Sequence, residues 1–198
     1  MGTFFETYGM PQKLTRTELV KEYERLKAEA NGNPEAEHID HYLTLGFKRV
    51  CTIKSTRIGN YWYYEDIDKT LMFNEHRSWV YAITRHGRII KFGESGNPLG
   101  IEMKDGQPKL GTQCRFGRYR KGGGTDESIR DMYRRETQES FKVMEVYALQ
   151  CPEIDHKLTI VNEEKVIKAQ IHKQLEKTLL DYFKENTGSY PAANCGRY

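Results

Sequence analysis

The chain has 198 residues, 37% hydrophobic and 30% charged, with 31 basic against 28 acidic side chains and a formal net charge of +3. That suffices for one domain with an elaboration, or a small domain plus an arm, with enough apolar content to bury a core; the net charge by itself excludes no partner. No apolar run approaches a membrane span and no signal-peptide core opens the chain, so no membrane partner is expected. The four cysteines, Cys51, Cys114, Cys151 and Cys195, form no CxxC pair. This speaks against a two-knuckle zinc site and a disulfide framework, and for reduced thiols in a cytoplasmic compartment.

Residues 1–13 carry Phe4, Phe5 and Tyr8 without a clean period. Thr15 or Thr17 caps a helix to about Ala30, striped by Leu19, Val20, Tyr23 and Leu26, and Asn31-Gly32-Asn33-Pro34 ends it. Glu35 to Leu45 predicts a second short helix carrying His38 and His41. With no third ligand in sight, that HxxH pair reads as surface histidines rather than a metal site. Gly46 to Phe73 is strand-like, with Gly59-Asn60 as a hairpin turn. Tyr61 to Tyr64, beside Lys48, Arg49, Lys54 and Arg57, form a candidate nucleic-acid surface, although at least half of these rings are expected inside a sheet core. Asn74-Glu75-His76 marks the expected boundary between an N-terminal part, 1–75, and a second domain, 76–198.

Ser78 to Ser95 predicts two strands joined by a turn at Arg85-His86-Gly87-Arg88, bringing Tyr81 and Lys91 together as near neighbours across the pair. Gly96 to Gly111 reads as a loop-like insertion. Lys109, Arg115, Arg118, Arg120 and Lys121 then fall in a stretch with no acid, which suits phosphate contact as well as a solvated loop. Gly122 to Gly124 is a turn, not a P-loop, since no Gly-Lys-Ser/Thr follows. Thr125 or Asp126 caps a helix to about Phe141, and residues 141–149 alternate as the third strand of a sheet. The last helix is expected from Asn162 or Glu163 to about Lys184, with Val166, Ile167, Ile171, Leu175 and Leu179 in its stripe, followed by an irregular tail.

An ordered set of these residues resembles the GIY-YIG nuclease family over roughly residues 78–198. Trp79-Val80-Tyr81 stands where the family has Gly-Ile-Tyr, and Lys91-Phe92-Gly93 where it has Tyr-Ile-Gly, with lysine replacing the second tyrosine. Arg115-Phe116 with Tyr119 is similar to the family's Arg-aromatic-x-x-His, Glu176 to its helix glutamate and Asn194 to its terminal asparagine. The resemblance implies a mixed α/β (α+β) fold, a small three-stranded antiparallel sheet flanked by helices, preceded by an N-terminal α/β arm for DNA recognition. It implies a metal-dependent endonuclease of restriction, phage or homing type, acting on double-stranded DNA and leaving 5′-phosphate and 3′-hydroxyl ends. The cofactor would be Mg²⁺, or another divalent cation such as Mn²⁺, held by Glu176. Tyr81 would be the general base, Lys91 its cationic neighbour, Arg115 the phosphate clamp with Arg118 and Arg120 as alternates, and Tyr119 a partner of the nucleophilic water or of a phosphate oxygen. His172 and Asn194 would support the site. Arg118, Arg120, Lys121, Lys109, Arg57 and Tyr61 would grip DNA. A palindromic target would call for a homodimer. Lys91 and Tyr119, the departures from the family pattern, keep a second class open: a DNA-binding protein on the same scaffold that does not cleave.

Overall fold

The computed structural model describes residues 34–55, 62–104, 107–110, 114–116, 143–160 and 163–194. Among them the chain runs from a 3₁₀ turn at Pro34–Glu37 into helix α1 (Ile39–Leu43), strands β1 (Lys48–Ser55) and β2 (Trp62–Glu65), and helix α2 (Lys69–Met72). It continues through β3 (Trp79–Arg85), β4 (Arg88–Ser95), β5 (Ile101–Lys104), β6 (Gln107–Leu110), β7 (Met144–Gln150), β8 (Glu153–Ile160), β9 (Glu163–Gln170) and helix α3 (His172–Thr187). The class is mixed α and β, as expected. The sheet is larger than expected: five antiparallel strands in the order β2-β1-β7-β3-β4, not three. β1 pairs with β7, so the sheet continues across residue 75.

The central hairpin forms where its turn chemistry predicts. His86 and Gly87 both take positive φ, 50° and 74°, the left-handed pair that a two-residue hairpin turn requires. Its register corrects one expectation. Tyr81 faces Gly93, and Lys91 faces Ile83. The pairing slips by one residue between Ile83 and Thr84, leaving Ile90 as a bulge. Counted back from Arg85 and Arg88 without that extra residue, Phe92 would oppose Tyr81; the bulge brings glycine there instead. Lys91 stays on Tyr81's face of the sheet, one pair further along.

Both faces of the sheet are covered, which is why β3 is buried along almost its whole length. On one face Trp79, Tyr81 and Ile83 pack with Cys51, Ile53, Met144 and Val146, under Met72, Leu99 and Phe116. On the other, Val80, Ala82 and Phe92 meet Leu179, Leu180 and Phe183 of α3 and Ile39 and Tyr42 of α1. α3 ends at Gly188, φ 82°, whose N–H donates to the Lys184 carbonyl, the left-handed stop that glycine allows.

Three local expectations are overturned. The last helix does not begin at 162 or 163: Glu163–Gln170 is β9, paired with β8 over its full length. Val166 and Ile167 fit a strand as readily as a helical stripe, and an available partner strand decides. Within 96–111, β5 and β6 form a hairpin rather than a plain loop. The helix over 35–45 is interrupted at His38, whose backbone is extended and bridges to Arg88. His41 Nε2 lies 2.8 Å from the Tyr182 hydroxyl and its ring stacks on that phenol, in keeping with a structural role. The helices expected over 15–30 and 125–141 and the turns at 59–60 and 122–124 lie outside the described residues. No helix among the described residues is long and apolar enough to cross a membrane.

Candidate active site

Tyr81 sits in the middle of β3 and is wholly buried. Its hydroxyl oxygen accepts two hydrogen bonds from one guanidinium, Arg115 Nε at 2.8 Å and Nη2 at 2.5 Å. The Phe116 ring meets the phenol edge-on, centroids 5.5 Å apart. The short Cys114–Phe116 segment is held on both sides: Arg115 N–H donates to the Pro98 carbonyl, Phe116 N–H to the Leu99 carbonyl, and the Tyr64 hydroxyl to the Phe116 carbonyl at 2.8 Å. Opposite, Gly93 makes room for the ring. A Cβ there would fall inside the phenol's van der Waals envelope, with Tyr81 Cε2 at 2.8 Å and Cζ and Oη nearer still. Only glycine allows so close an approach.

Four further predicted residues lie on the elements around this pair. Lys91 is fully buried, on Tyr81's face of the sheet. Glu176 is on the buried stripe of α3, between His172 and Leu179, with 9% exposure. Most helix glutamates point to water, so a buried one stands apart from the ordinary case. His172, also buried, has Nδ1 3.2 Å from Ser78 Oγ and Nε2 3.2 Å from Glu94 Oε2. Burial lowers the His172 pKa from its ordinary value; Glu94 opposes the shift and Lys173 adds to it. Asn194 is fully buried. Its side-chain oxygen accepts from Phe92 N–H at 2.9 Å and its amide donates to the Phe92 carbonyl at 3.0 Å, while Ala193 N–H donates to the Ile90 carbonyl. The tail thus supplies β4, the edge strand, with a substitute for a neighbouring strand.

A polar hollow of about 90 Å³ opens beside the pair, lined by Glu94, Ser95, Gly96, Asn97 and Arg115. Its rim is fixed by a local turn: Ser95 Oγ donates to the Asn97 carbonyl at 2.8 Å and accepts Asn97 N–H at 3.1 Å. Sequence reasoning missed Glu94 and Ser78. Their signal was their place, polar residues bordering the apolar hairpin strands. Arg118, Tyr119, Arg120, Lys121, Arg57 and Tyr61 lie outside the described residues. Lys109 is on β6, opposite Glu102, with its side chain likewise outside them. Among the described residues no group of three His, Cys, Asp or Glu side chains could hold a metal ion. A donor set of one helix carboxylate fits a hard cation such as Mg²⁺, which keeps most of its waters and takes one or two carboxylates.

No family model matches the sequence, and no curated protein matches it. Solved structures that it resembles include the restriction endonuclease HPY188I in complex with product DNA, 19% identical with a TM-score of 0.42 over 88% of this chain and 91% of that one. Another is a mutant of bacteriophage T4 EndoII, 14% identical with a TM-score of 0.46 over 74% of this chain and 95% of that one. Fold likeness at this level carries no function with it.

Proposed function

We propose that this protein is a metal-dependent DNA endonuclease that hydrolyses phosphodiester bonds to 5′-phosphate and 3′-hydroxyl ends, in the cytoplasm of a bacterial or phage-infected cell. The observation that carries the reading is the Tyr81–Arg115 pair over Gly93. Two N–H groups donated to one phenol oxygen stabilise negative charge on it, which is what a phenol needs in order to take a proton from water. A guanidinium has five N–H groups. Two are given to Tyr81, and a guanidinium is also the group that meets phosphate oxygens in paired N–H geometry. Lys91 would be the cationic neighbour on the same face, and Tyr119 would hydrogen-bond the attacking water or a phosphate oxygen. Glu176 would hold Mg²⁺ or Mn²⁺, which supplies Lewis-acid help to the departing 3′ oxygen. Asn194 keeps β4, and with it Lys91 and Gly93, in register. Arg118, Arg120, Lys121, Lys109, Arg57 and Tyr61 would grip the duplex, residues 1–75 would contribute to its recognition, and a palindromic target would be cut by a homodimer.

One observation favours a second reading. Tyr81 has no exposed surface, which suits a phenol that merely fixes Arg115 in a DNA-binding protein without cleavage. Nicking of supercoiled plasmid in Mg²⁺ separates the two. As a base, Tyr81 loses roughly 10²- to 10⁴-fold in rate on Tyr81→Phe, and Arg115→Ala lowers the cleavage rate far more than DNA affinity. A wild-type protein that binds DNA and never nicks it, or a Tyr81→Phe protein as fast as wild type, removes the catalytic phenol.

A further inference from the structure

Ser78, His172 and Glu94 form a chain of hydrogen bonds through the ring of His172, and each belongs to a different segment of the candidate site. Ser78 immediately precedes β3, three residues before Tyr81. Glu94 is on β4, next to Gly93 and three residues after Lys91. His172 is the first residue of α3, one helical turn before Glu176. A carboxylate only accepts, so His172 Nε2 carries the proton given to Glu94; in the neutral ring Nδ1 then accepts from the Ser78 hydroxyl. His172 has 1% of its side chain exposed and Glu94 29%. Glu94 also lines the hollow that Arg115 lines. One side chain therefore fastens the helix carrying Glu176 to the two strands carrying Tyr81 and Lys91, at the border of the hollow beside Arg115.

We propose that His172 is a positioning residue: through Ser78 and Glu94 it fixes the rotation and height of α3 on the β3–β4 pair, and so the place of the Glu176 carboxylate relative to Tyr81 and Arg115. This rests on the endonuclease reading. Burial of the ring with both nitrogens engaged explains why a histidine stands on the inward stripe of α3, where an aliphatic residue would pack without needing partners. A 1 Å misplacement of a catalytic group costs on the order of 10²-fold in rate, and removing a residue that orients a metal ligand costs about 10- to 100-fold.

The test compares wild type with His172→Leu, His172→Gln, Glu94→Ala and the double variant His172→Leu/Glu94→Ala. Four quantities are read: single-turnover plasmid cleavage, duplex affinity in EDTA, Mn²⁺ affinity by calorimetry, and Tm. His172→Leu should lose about 10- to 100-fold in cleavage and in Mn²⁺ affinity at unchanged duplex affinity. His172→Gln, whose amide both donates and accepts, should recover most of both. Glu94→Ala should lose a similar factor, and the double variant no more than the worse single one, because both cut the same chain. If His172→Leu does not fold, Glu94→Ala and His172→Gln carry the comparison. Wild-type cleavage with His172→Leu or Glu94→Ala equally fast overturns the positioning role, as does a loss that follows Tm alone and that glutamine fails to restore. A wild-type protein that cuts no DNA overturns the endonuclease reading instead.

Discussion

Gly93→Ala tests whether the strand register and the Tyr81–Arg115 pair are as described. The new methyl group would have to occupy space now filled by the phenol, whose Cε2 lies 2.8 Å from the Cβ position. The ring cannot easily retreat. Phe116 closes one side, Arg115 is bonded to its oxygen, and the position is fully buried. Overpacking of this kind costs about 1–3 kcal/mol. In a chain of this size each kcal/mol is worth about 2–4 °C, so Tm should fall by roughly 2–12 °C in a thermal melt followed by circular dichroism. The cause can be isolated. In a Tyr81→Leu background no atoms stand where the phenol's Cζ and Oη stood, so adding Gly93→Ala should cost much less than it does in wild type. Such non-additivity is the signature of two groups competing for one space. A Gly93→Ala protein with wild-type Tm, or an equal cost in both backgrounds, would refute the pairing of Tyr81 with Gly93.

Two further outcomes follow from the same geometry. Asn194→Ala strips partners from both the N–H and the carbonyl of Phe92 in a buried setting; each unsatisfied group costs about 1–3 kcal/mol, so the urea midpoint should fall clearly, and an unchanged midpoint would mean that the tail does not hold β4. Burial keeps the folded-state pKa of His172 below its ordinary 6.5, so the unfolded chain takes up this proton first. Its contribution is full above about pH 6.5 and is lost as the pH falls through that value towards the folded pKa. Urea midpoints from pH 8 to 5 should therefore drop more steeply for wild type than for His172→Gln; parallel curves would show that the ring is not held neutral.

The parts of this fold that can be read from sequence are those fixed by local chemistry. His86-Gly87 takes the positive φ values of a hairpin turn, Met144–Gln150 alternates as a strand, and Gly188 ends α3. What escaped reading depends on distant pairing. The bulge at Ile90 leaves no mark in composition, yet it decides that Gly93 rather than Phe92 faces Tyr81. Glu163–Gln170 carries both helical and strand patterns, and β8 settles it. β1 becomes the sheet neighbour of β7, and β2 joins the sheet through β1, only by a pairing that spans nearly a hundred residues. In the site, the spacing does not tell Arg115 from Arg118 or Arg120; Arg115 donates two hydrogen bonds to Tyr81, while Arg118 and Arg120 lie outside the described residues. Glu94 and Ser78 gained a role only when His172 was seen between them.

The central claim is that a buried carboxylate on α3 serves a cleavage reaction built on Tyr81 and Arg115. The most direct measurement is nicking of supercoiled plasmid by wild type, Glu176→Ala and Glu185→Ala, in Mg²⁺ and in EDTA. Glu185 is exposed on the same helix, off the buried stripe, and serves as control. Wild type and Glu185→Ala should nick in Mg²⁺ and not in EDTA. Glu176→Ala should not nick in either, while still binding duplex DNA, because the Lewis acid at the leaving oxygen is lost and the basic grip is not. Nicking by Glu176→Ala at the wild-type rate would contradict the assignment of the carboxylate. Binding of DNA by wild type without any nicking would contradict the reaction itself.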